Sequence, residues 1–138
     1  MTPEARPRID TVREFLPTSP LVGHLGIELR ELEADRAVLA LPFAAHVVTI
    51  GDVVHGGAIA SLMDTAAMMA AWATDEPAER LAGATVALSI DYVAPARASE
   101  VLAEALVVRR GRALCFVEIS ARAGADVVAK ALATYRFG

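Results

Sequence analysis

The chain has 138 residues, of which 55% are hydrophobic and 22% charged, and its formal net charge is −4. This length suits one domain, over residues 1–138, with a sizeable core, and the composition excludes an intrinsically disordered chain. The negative charge offers no general attraction for nucleic acid or an acidic membrane, so neither is expected as a partner.

The first part of the chain predicts a short helix and then a hairpin. In RIDTVREFLPTSP the apolar residues recur at helical spacing, and Pro17 ends the run. The segment LGIELRELEADRAVLALPF alternates between apolar and polar residues on both sides of EADR, which indicates two strands joined by a tight turn. Residues 43–54 are expected to form an irregular connection.

The stretch GDVVHGGAIASLMDTAAMMAAWA predicts a long helix from about Gly57 to Ala73, with Pro77 preventing its continuation. A helix that is apolar on nearly all sides has to be enclosed. It begins after His55 without any of the usual capping side chains, and it carries one acid, Asp64. A stripe of small residues beside this acid would let a second backbone or a thin ligand approach closely: Ala60, Asp64, Ala67 and Ala71.

The second half predicts four antiparallel strands, with tight turns at Arg110–Gly111 and Gly124–Ala125. In ATVALSIDYVAPA, strict alternation places Val86, Leu88, Ile90 and Tyr92 on one face and Thr85, Ser89 and Asp91 on the other. Strands grouped around one helix indicate an α+β fold in which the sheet wraps that helix.

The chain shows no targeting or membrane-spanning pattern. The N-terminal MTPEARPRID is polar and contains two prolines, which is not typical of a signal peptide. The longest apolar run is about one turn short of a bilayer span and contains Asp64. The lone Cys115 cannot form an internal disulfide. A cytoplasmic protein is therefore expected.

The motif HGGAIASLMD resembles the His-Gly-Gly-x-x-x-x-Leu-x-Asp motif of hotdog-fold acyl-CoA thioesterases of the phenylacetate-degradation (PaaI-like) type. The predicted first hairpin and the strand ending in Tyr-x-x-Pro are also similar to this family. The resemblance implies a hotdog fold and hydrolysis of a coenzyme A thioester. It implies no metal or bound cofactor, because coenzyme A is part of the substrate. It further implies a homodimer, often paired into a homotetramer.

The resemblance also implies a role for each matching residue. Asp64 matches the catalytic carboxylate, which either activates water or attacks the thioester itself. Gly56 matches the residue whose backbone N–H polarises the thioester carbonyl. His55 matches a supporting histidine, and Thr85 falls where a hydroxyl helps to place the water.

Substrate contacts are expected around this motif, from Gly57, Thr49 and Met68. Family members often have Asn and Gly where this chain has Thr49 and Asp52. The helix start suits the chemistry independently, because its unpaired N–H groups and positive dipole end stabilise an oxyanion. Glycine there lets a carbonyl approach closely.

Spacing indicates that one chain cannot complete the site. Gly56 and Asp64 are eight residues apart, so they lie roughly 12 Å apart along a helix. A carbonyl held at one and a water held at the other have to be about 3 Å apart. Two antiparallel copies of the helix would meet this requirement, which predicts a catalytic dimer with two equivalent sites.

Arginines cluster at one predicted turn: Arg109, Arg110 and Arg112. Arginine binds phosphate through two parallel hydrogen bonds, so this turn is either an ordinary solvated turn or a site for the phosphates of coenzyme A. His24 and His46 show no spacing typical of metal ligands.

Other functions and roles remain open at this point. Hotdog proteins include enoyl-CoA hydratases and dehydratases, and a non-catalytic acyl-CoA-binding protein is a further alternative. Asp64 could also be a packing residue bonded to a hydroxyl such as Ser61, and the Gly-Gly pair could be only a tight turn.

Overall fold

The computed structural model describes residues 5–138 of the chain. The helices of this part are α1 (Arg8–Phe15), α2 (Pro20–Leu25) and α3 (Gly56–Ala71). The main sheet contains β1 (Glu28–Glu33), β2 (Arg36–Leu41), β3 (Gly83–Tyr92), β4 (Val101–Arg110), β5 (Leu114–Ala123) and β6 (Asp126–Phe137). Two short strand pairings join Arg6–Pro7 to Pro77–Ala78 and Val48–Ile50 to Val53–Val54, and 3₁₀ turns cover Leu16–Thr18 and Ala45–Val47.

The main sheet wraps around α3. Its six strands are antiparallel and follow the order β1-β2-β4-β5-β6-β3, and α3 contacts every one of them. The predicted α+β fold, an antiparallel sheet around one long central helix, is therefore confirmed. The first hairpin turns at Asp35, whose φ of 62° is the left-handed conformation that tight hairpin turns use.

The core lies between α3 and the inner face of the sheet. Small and flexible apolar side chains let the helix sit close to the strands on several sides. Leu39, Val117 and Ile119 of the sheet are almost fully buried in this core. The helix contributes nine buried residues: Ala58, Ile59, Leu62, Met63, Ala66, Ala67, Met69, Ala70 and Ala71.

The helix α3 ends at Ala71, two residues before the predicted end at about Ala73 and six residues before Pro77. A side chain from the sheet caps this end of the helix. The Arg110 guanidinium donates to the carbonyl of Ala71 at 2.8 Å and to Asp35 Oδ1 at 2.8 Å. A cation at this end also complements the helix dipole. This contact is invisible in the sequence because 39 residues separate Arg110 from Ala71.

The N-terminal segment covers one side of α3. The predicted amphipathic helix is present as α1, and Val12 and Leu16 belong to the core. α2 was not predicted, because its six residues are too short to show a period. Pro20 begins it, and Gly26, with a φ of 75°, ends it in the left-handed conformation. None of the helices in residues 5–138 combines the length and apolarity that a bilayer crossing requires.

Replacing Arg110 with alanine should lower the free energy of unfolding by about 1–3 kcal/mol, because the last helix carbonyls and Asp35 lose a charged donor. The free energy of unfolding of Arg110→Lys should lie between those of the wild type and Arg110→Ala, because lysine keeps the positive charge and loses the two parallel N–H donors of the guanidinium. Urea unfolding at one protein concentration measures both. Arg109→Ala, at an exposed position of the same turn, is the control and should change stability by less than about 0.5 kcal/mol. Equal stability of the Arg110 and Arg109 variants would contradict the capping role.

Candidate active site

One side of α3 remains uncovered in the subunit. From Gly57 to Met68, the residues that are not fully buried recur every three to four positions and so share one face: Gly57, Ala60, Ser61, Asp64, Thr65 and Met68. The predicted stripe of small residues is open only at Ala60 and Asp64. Ala67 and Ala71 are fully buried in the core of their own subunit, which leaves no room beside them for a second backbone.

A β-bulge in β3 brings Thr85 to this open face. The register between β3 and β6 shifts by one residue at Val86, so Thr85 lies opposite the buried Tyr135. A bulge reverses which face the following side chains occupy. The strict alternation predicted for β3 is therefore wrong at Val86, which is 55% exposed, and at Thr85, which turns toward α3. The Thr85 hydroxyl donates to Asp64 Oδ1 at 2.7 Å.

The Asp64 carboxylate is held by one oxygen only. Within residues 5–138, Thr85 bonds Oδ1 and no group donates to Oδ2, so Oδ2 remains available to accept from a water molecule. The hydroxyl that bonds Asp64 belongs to Thr85 and not to Ser61, because the Ser61 hydroxyl donates to the Gly57 carbonyl at 2.9 Å. Asp64 is also only partly buried, so it is not an isolated charge in the core.

Asp64 lies on the wall of a cleft of about 300 Å³. Apolar side chains from α1, α2, α3 and the segment before β3 form much of the wall: Phe15, Val22, Met68 and Leu81. Tyr135 also lines the cleft, and its hydroxyl accepts a hydrogen bond from Trp72 Nε1 at 3.0 Å. Burial, with a smaller effect of the Asp64 charge, raises the pKa of the Tyr135 phenol. The phenol therefore stays protonated at neutral pH.

His55 caps the beginning of α3. Its Nδ1 accepts the Gly57 N–H at 2.7 Å, so the prediction that the helix has no side-chain cap is wrong. An imidazole nitrogen here performs the task usually performed by Ser, Thr, Asn or Asp. A Cβ on residue 57 would lie 2.9 Å from this nitrogen, which explains the glycine. The Gly57 N–H, expected to bind substrate, is thus already paired.

Gly56 keeps its N–H unpaired. Among residues 5–138 no acceptor is bonded to it, as is usual for the first N–H groups of a helix. Its carbonyl accepts from the Tyr92 hydroxyl at 2.8 Å, which ties the end of β3 to the start of α3. Gly56, Tyr92 and Thr49 line a second cleft, of about 410 Å³, so the structure brings Thr49 together with Gly56.

The two clefts share no lining residue: the first lies beside Asp64 in the middle of α3, and the second lies at the N-terminal end of the helix, beside Gly56. The first contains Asp64 and Thr85, and the second contains Gly56 and Thr49. Gly56 and Asp64 are eight positions apart on α3, which corresponds to about 12 Å along the helix axis. One subunit therefore carries two separate halves of the predicted site.

The arginine turn lies at the opposite end of α3 from Gly56. Arg110 is bonded to Asp35 and to the helix carbonyls, so it is already committed within the subunit. Arg109 and Arg112 are exposed, and no carboxylate of residues 5–138 forms an ion pair with either. Asp52 pairs with Arg97 at 3.1 Å, and neither residue lines the Gly56 cleft.

Comparisons with known proteins agree with this architecture. A family model described as "Thioesterase superfamily" matches residues 51–130. A protein of Saccharolobus solfataricus named "Putative esterase SSO1253" is 30% identical over 92% of this chain and 83% of its own length. A thioesterase family protein from Silicibacter pomeroyi is 25% identical, with a TM-score of 0.85 over 95% of this chain and 99% of its own. The E. coli PaaI protein from the phenylacetic acid degradation operon, 21% identical, shares the fold with a TM-score of 0.81 over 95% of this chain and 93% of its own.

The family match includes the motif that carried the resemblance. It spans more than half of the chain and covers HGGAIASLMD, α3 and the strands β3, β4 and β5. The relatives named as esterases support the same chemistry. The chain therefore belongs to the thioesterase superfamily, and it is a thioester hydrolase with the hotdog fold.

Proposed function

We propose that this hydrolase is an acyl-CoA thioesterase whose active site is completed by two copies of the chain. Asp64 of one subunit supplies the carboxylate, and the Gly56 N–H of the other binds the thioester carbonyl. The observation that carries the proposal is that these two groups line separate clefts of one chain, one beside the middle of α3 and one at its N-terminal end.

The edge strand β3 supports this pairing. It forms one end of the six-stranded sheet, so its outer hydrogen-bonding groups are available to another strand. Thr85, near its start, bonds Asp64, and Tyr92, at its end, bonds Gly56. An antiparallel pair of β3 strands related by a two-fold axis near Leu88 would set the Thr85 of one subunit opposite the partner's Tyr92. Each acid would then face the glycine of the other subunit.

The chemistry follows from this arrangement. The Gly56 N–H and the positive end of the helix dipole stabilise the oxyanion that forms when the thioester carbonyl is attacked. Asp64, steadied by Thr85 through Oδ1, uses Oδ2 to take a proton from the attacking water. In the alternative route it attacks the carbonyl itself, and water then hydrolyses the anhydride. In both routes the carbon–sulfur bond breaks and coenzyme A leaves as the thiol.

Assembly beyond the dimer remains a prediction, as does contact between coenzyme A phosphates and the exposed Arg109 and Arg112. The dimer accounts for apolar side chains that are exposed in the single subunit at and just after β3: Val86, Tyr92 and Val93, each at least half exposed. Burial of such surface is what stabilises subunit association.

Replacing Asp64 with asparagine should lower kcat for thiol release by about 10²–10⁴-fold, because the base or nucleophile is lost while the amide oxygen still accepts from Thr85. Thiol release from a panel of acyl-CoAs, with unfolding and size measured in parallel, tests this. Asp52→Asn is the matched control, and it should stay near wild-type kcat since Asp52 lies outside both clefts. Near-normal turnover by the Asp64 variant would move the chemistry to another residue.

Mixing two inactive variants tests whether the site is shared. Gly56→Pro removes the N–H at the first helical position, where proline is tolerated, and His55 before it already has the extended conformation that precedes proline. Alone, this variant and Asp64→Asn should both be nearly inactive. After subunit exchange of an equal mixture, about a quarter of wild-type activity should return, since half of the dimers are mixed and each has one intact site.

The recovered activity distinguishes a shared site from a site within one chain. Exchange of subunits is followed independently, with one variant carrying a mass tag. Mixed dimers that form without any return of thiol release would contradict the two-subunit site.

The role of His55 is tested by two substitutions. His55→Ala should cost about 1 kcal/mol of stability, because the Gly57 N–H loses its acceptor, and turnover should fall with the loosened helix start. His55→Asn should retain most of the stability and most of the turnover, because asparagine is a good N-cap residue. Urea unfolding and thiol-release kinetics measure these effects. A proton-transfer role would instead make asparagine as damaging to kcat as alanine, with stability unchanged.

A further inference from the structure

Tyr135 is a buried phenol beside the acid, and the mechanism described above leaves it without a role. It is 3% exposed, it lines the Asp64 cleft, and it lies directly opposite Thr85 in the ladder between β6 and β3. Side chains of residues opposite each other on antiparallel strands are neighbours. Both hydroxyl-bearing residues therefore line the same cleft, and the Thr85 hydroxyl is already bonded to Asp64 Oδ1.

The Tyr135 hydroxyl carries a hydrogen that no residue from 5 to 138 accepts. The Trp72 Nε1–H donates to the phenol oxygen at 3.0 Å, so the O–H hydrogen has to point away from Trp72. The pKa of the phenol is raised, mainly by burial, which keeps this hydrogen in place at neutral pH. A buried O–H without an acceptor is costly, so the site favours a bound molecule that accepts from it.

The phenol is held in place and has space beside its oxygen. The ring of Phe137 packs edge-on against the Tyr135 ring, with 5.4 Å between the ring centroids. Gly83 lines the cleft next to the hydroxyl, and a Cβ on residue 83 would lie only 2.8 Å from the phenol oxygen. The glycine therefore leaves room for a small molecule beside this oxygen.

We propose that Tyr135 positions the attacking water, because its O–H donates to the water molecule whose proton Asp64 Oδ2 takes. This inference rests on the proposed acyl-CoA thioesterase function and on its route through an activated water. The water donates to Asp64 and accepts from Tyr135, and its remaining lone pair forms the new bond to the thioester carbon. The carbon–sulfur bond then breaks, Asp64 holds the proton taken from water, and Tyr135 keeps its own.

Tyr135→Phe tests this role, because it removes the hydroxyl and keeps the ring. It should lower kcat for thiol release about tenfold, which is the effect of one lost hydrogen bond to the reacting water. KM should stay within about twofold of wild type, since Tyr135 contacts the water and not the thioester. Thiol-release kinetics over a range of acyl-CoA concentrations separate kcat from KM, and urea unfolding is measured in parallel.

A second variant answers the case in which Tyr135→Phe does not fold because the Trp72 N–H is left unpaired. The double substitution Tyr135→Phe with Trp72→Phe replaces both partners of the buried bond by apolar rings, which leaves no unsatisfied donor. It should have a kcat as low as that expected for Tyr135→Phe. Trp72→Phe alone keeps the phenol but frees its orientation, so it should lower kcat by only about two- to threefold.

Phe137→Leu is the control for packing around the phenol. Phe137 contacts the Tyr135 ring but does not line the Asp64 cleft. This variant should lose stability and keep kcat within about twofold of wild type.

Coupling to the acid gives an independent readout. In the Asp64→Asn background, Tyr135→Phe should lower the residual kcat by less than about twofold, because both groups act on one water molecule. An equal, tenfold loss in both backgrounds would show that Tyr135 acts apart from Asp64.

The inference is overturned if Tyr135→Phe, or the double variant, folds and turns over at the wild-type kcat. It is also overturned if Phe137→Leu lowers kcat as much as Tyr135→Phe, since packing then explains the loss. These results leave the proposed function standing as long as Asp64→Asn is inactive. A wild-type enzyme that releases no thiol from any acyl-CoA would instead refute the proposed function itself.

Discussion

The structure depends on the enclosure of one apolar helix. α3 exposes almost no polar side chains, so most of its surface has to be covered, and a single curved sheet with the N-terminal segment covers all but one stripe. Asp64 lies on that stripe, at the boundary between the core and the outside. A carboxylate in the middle of this helix is tolerable only there, because full burial without a partner is costly. The uncovered stripe is thus the place for the acid, and it is the surface that the proposed second subunit would cover.

The strand β3 organises both halves of the candidate site. Its bulge turns Thr85 inward to Asp64, and its last residue, Tyr92, bonds the carbonyl of Gly56. The same strand lies at the edge of the sheet. In the proposed dimer, the strand that positions Asp64 and Gly56 would also join the two subunits. Catalysis would then depend on assembly. The cleft beside Asp64 adds the N-terminal helices to this arrangement through Phe15 and Val22.

Local patterns predicted much of the fold. The helix period identified α1 and α3, and alternation with turn residues identified the hairpins, because both signals arise from neighbouring residues. Local patterns failed where contacts between residues distant in sequence determine the structure. Arg110 bonds the carbonyl of Ala71 from a strand 39 residues away, and a bulge against β6 at Val86 interrupts the alternation of β3. α2 was too short to show a period.

By itself, the sequence determined the family, the acid at position 64, the glycines at the helix start and the eight-residue spacing on which the proposed two-subunit site rests. These are properties of one continuous motif on one helix. Only the tertiary structure decided that Thr85 bonds Asp64, that His55 caps the helix, that Arg110 is occupied and that Phe15 lines the acid's cleft. The physical reason is that each of these contacts depends on how strands and helices distant in sequence pack around α3, and no local periodicity encodes that packing.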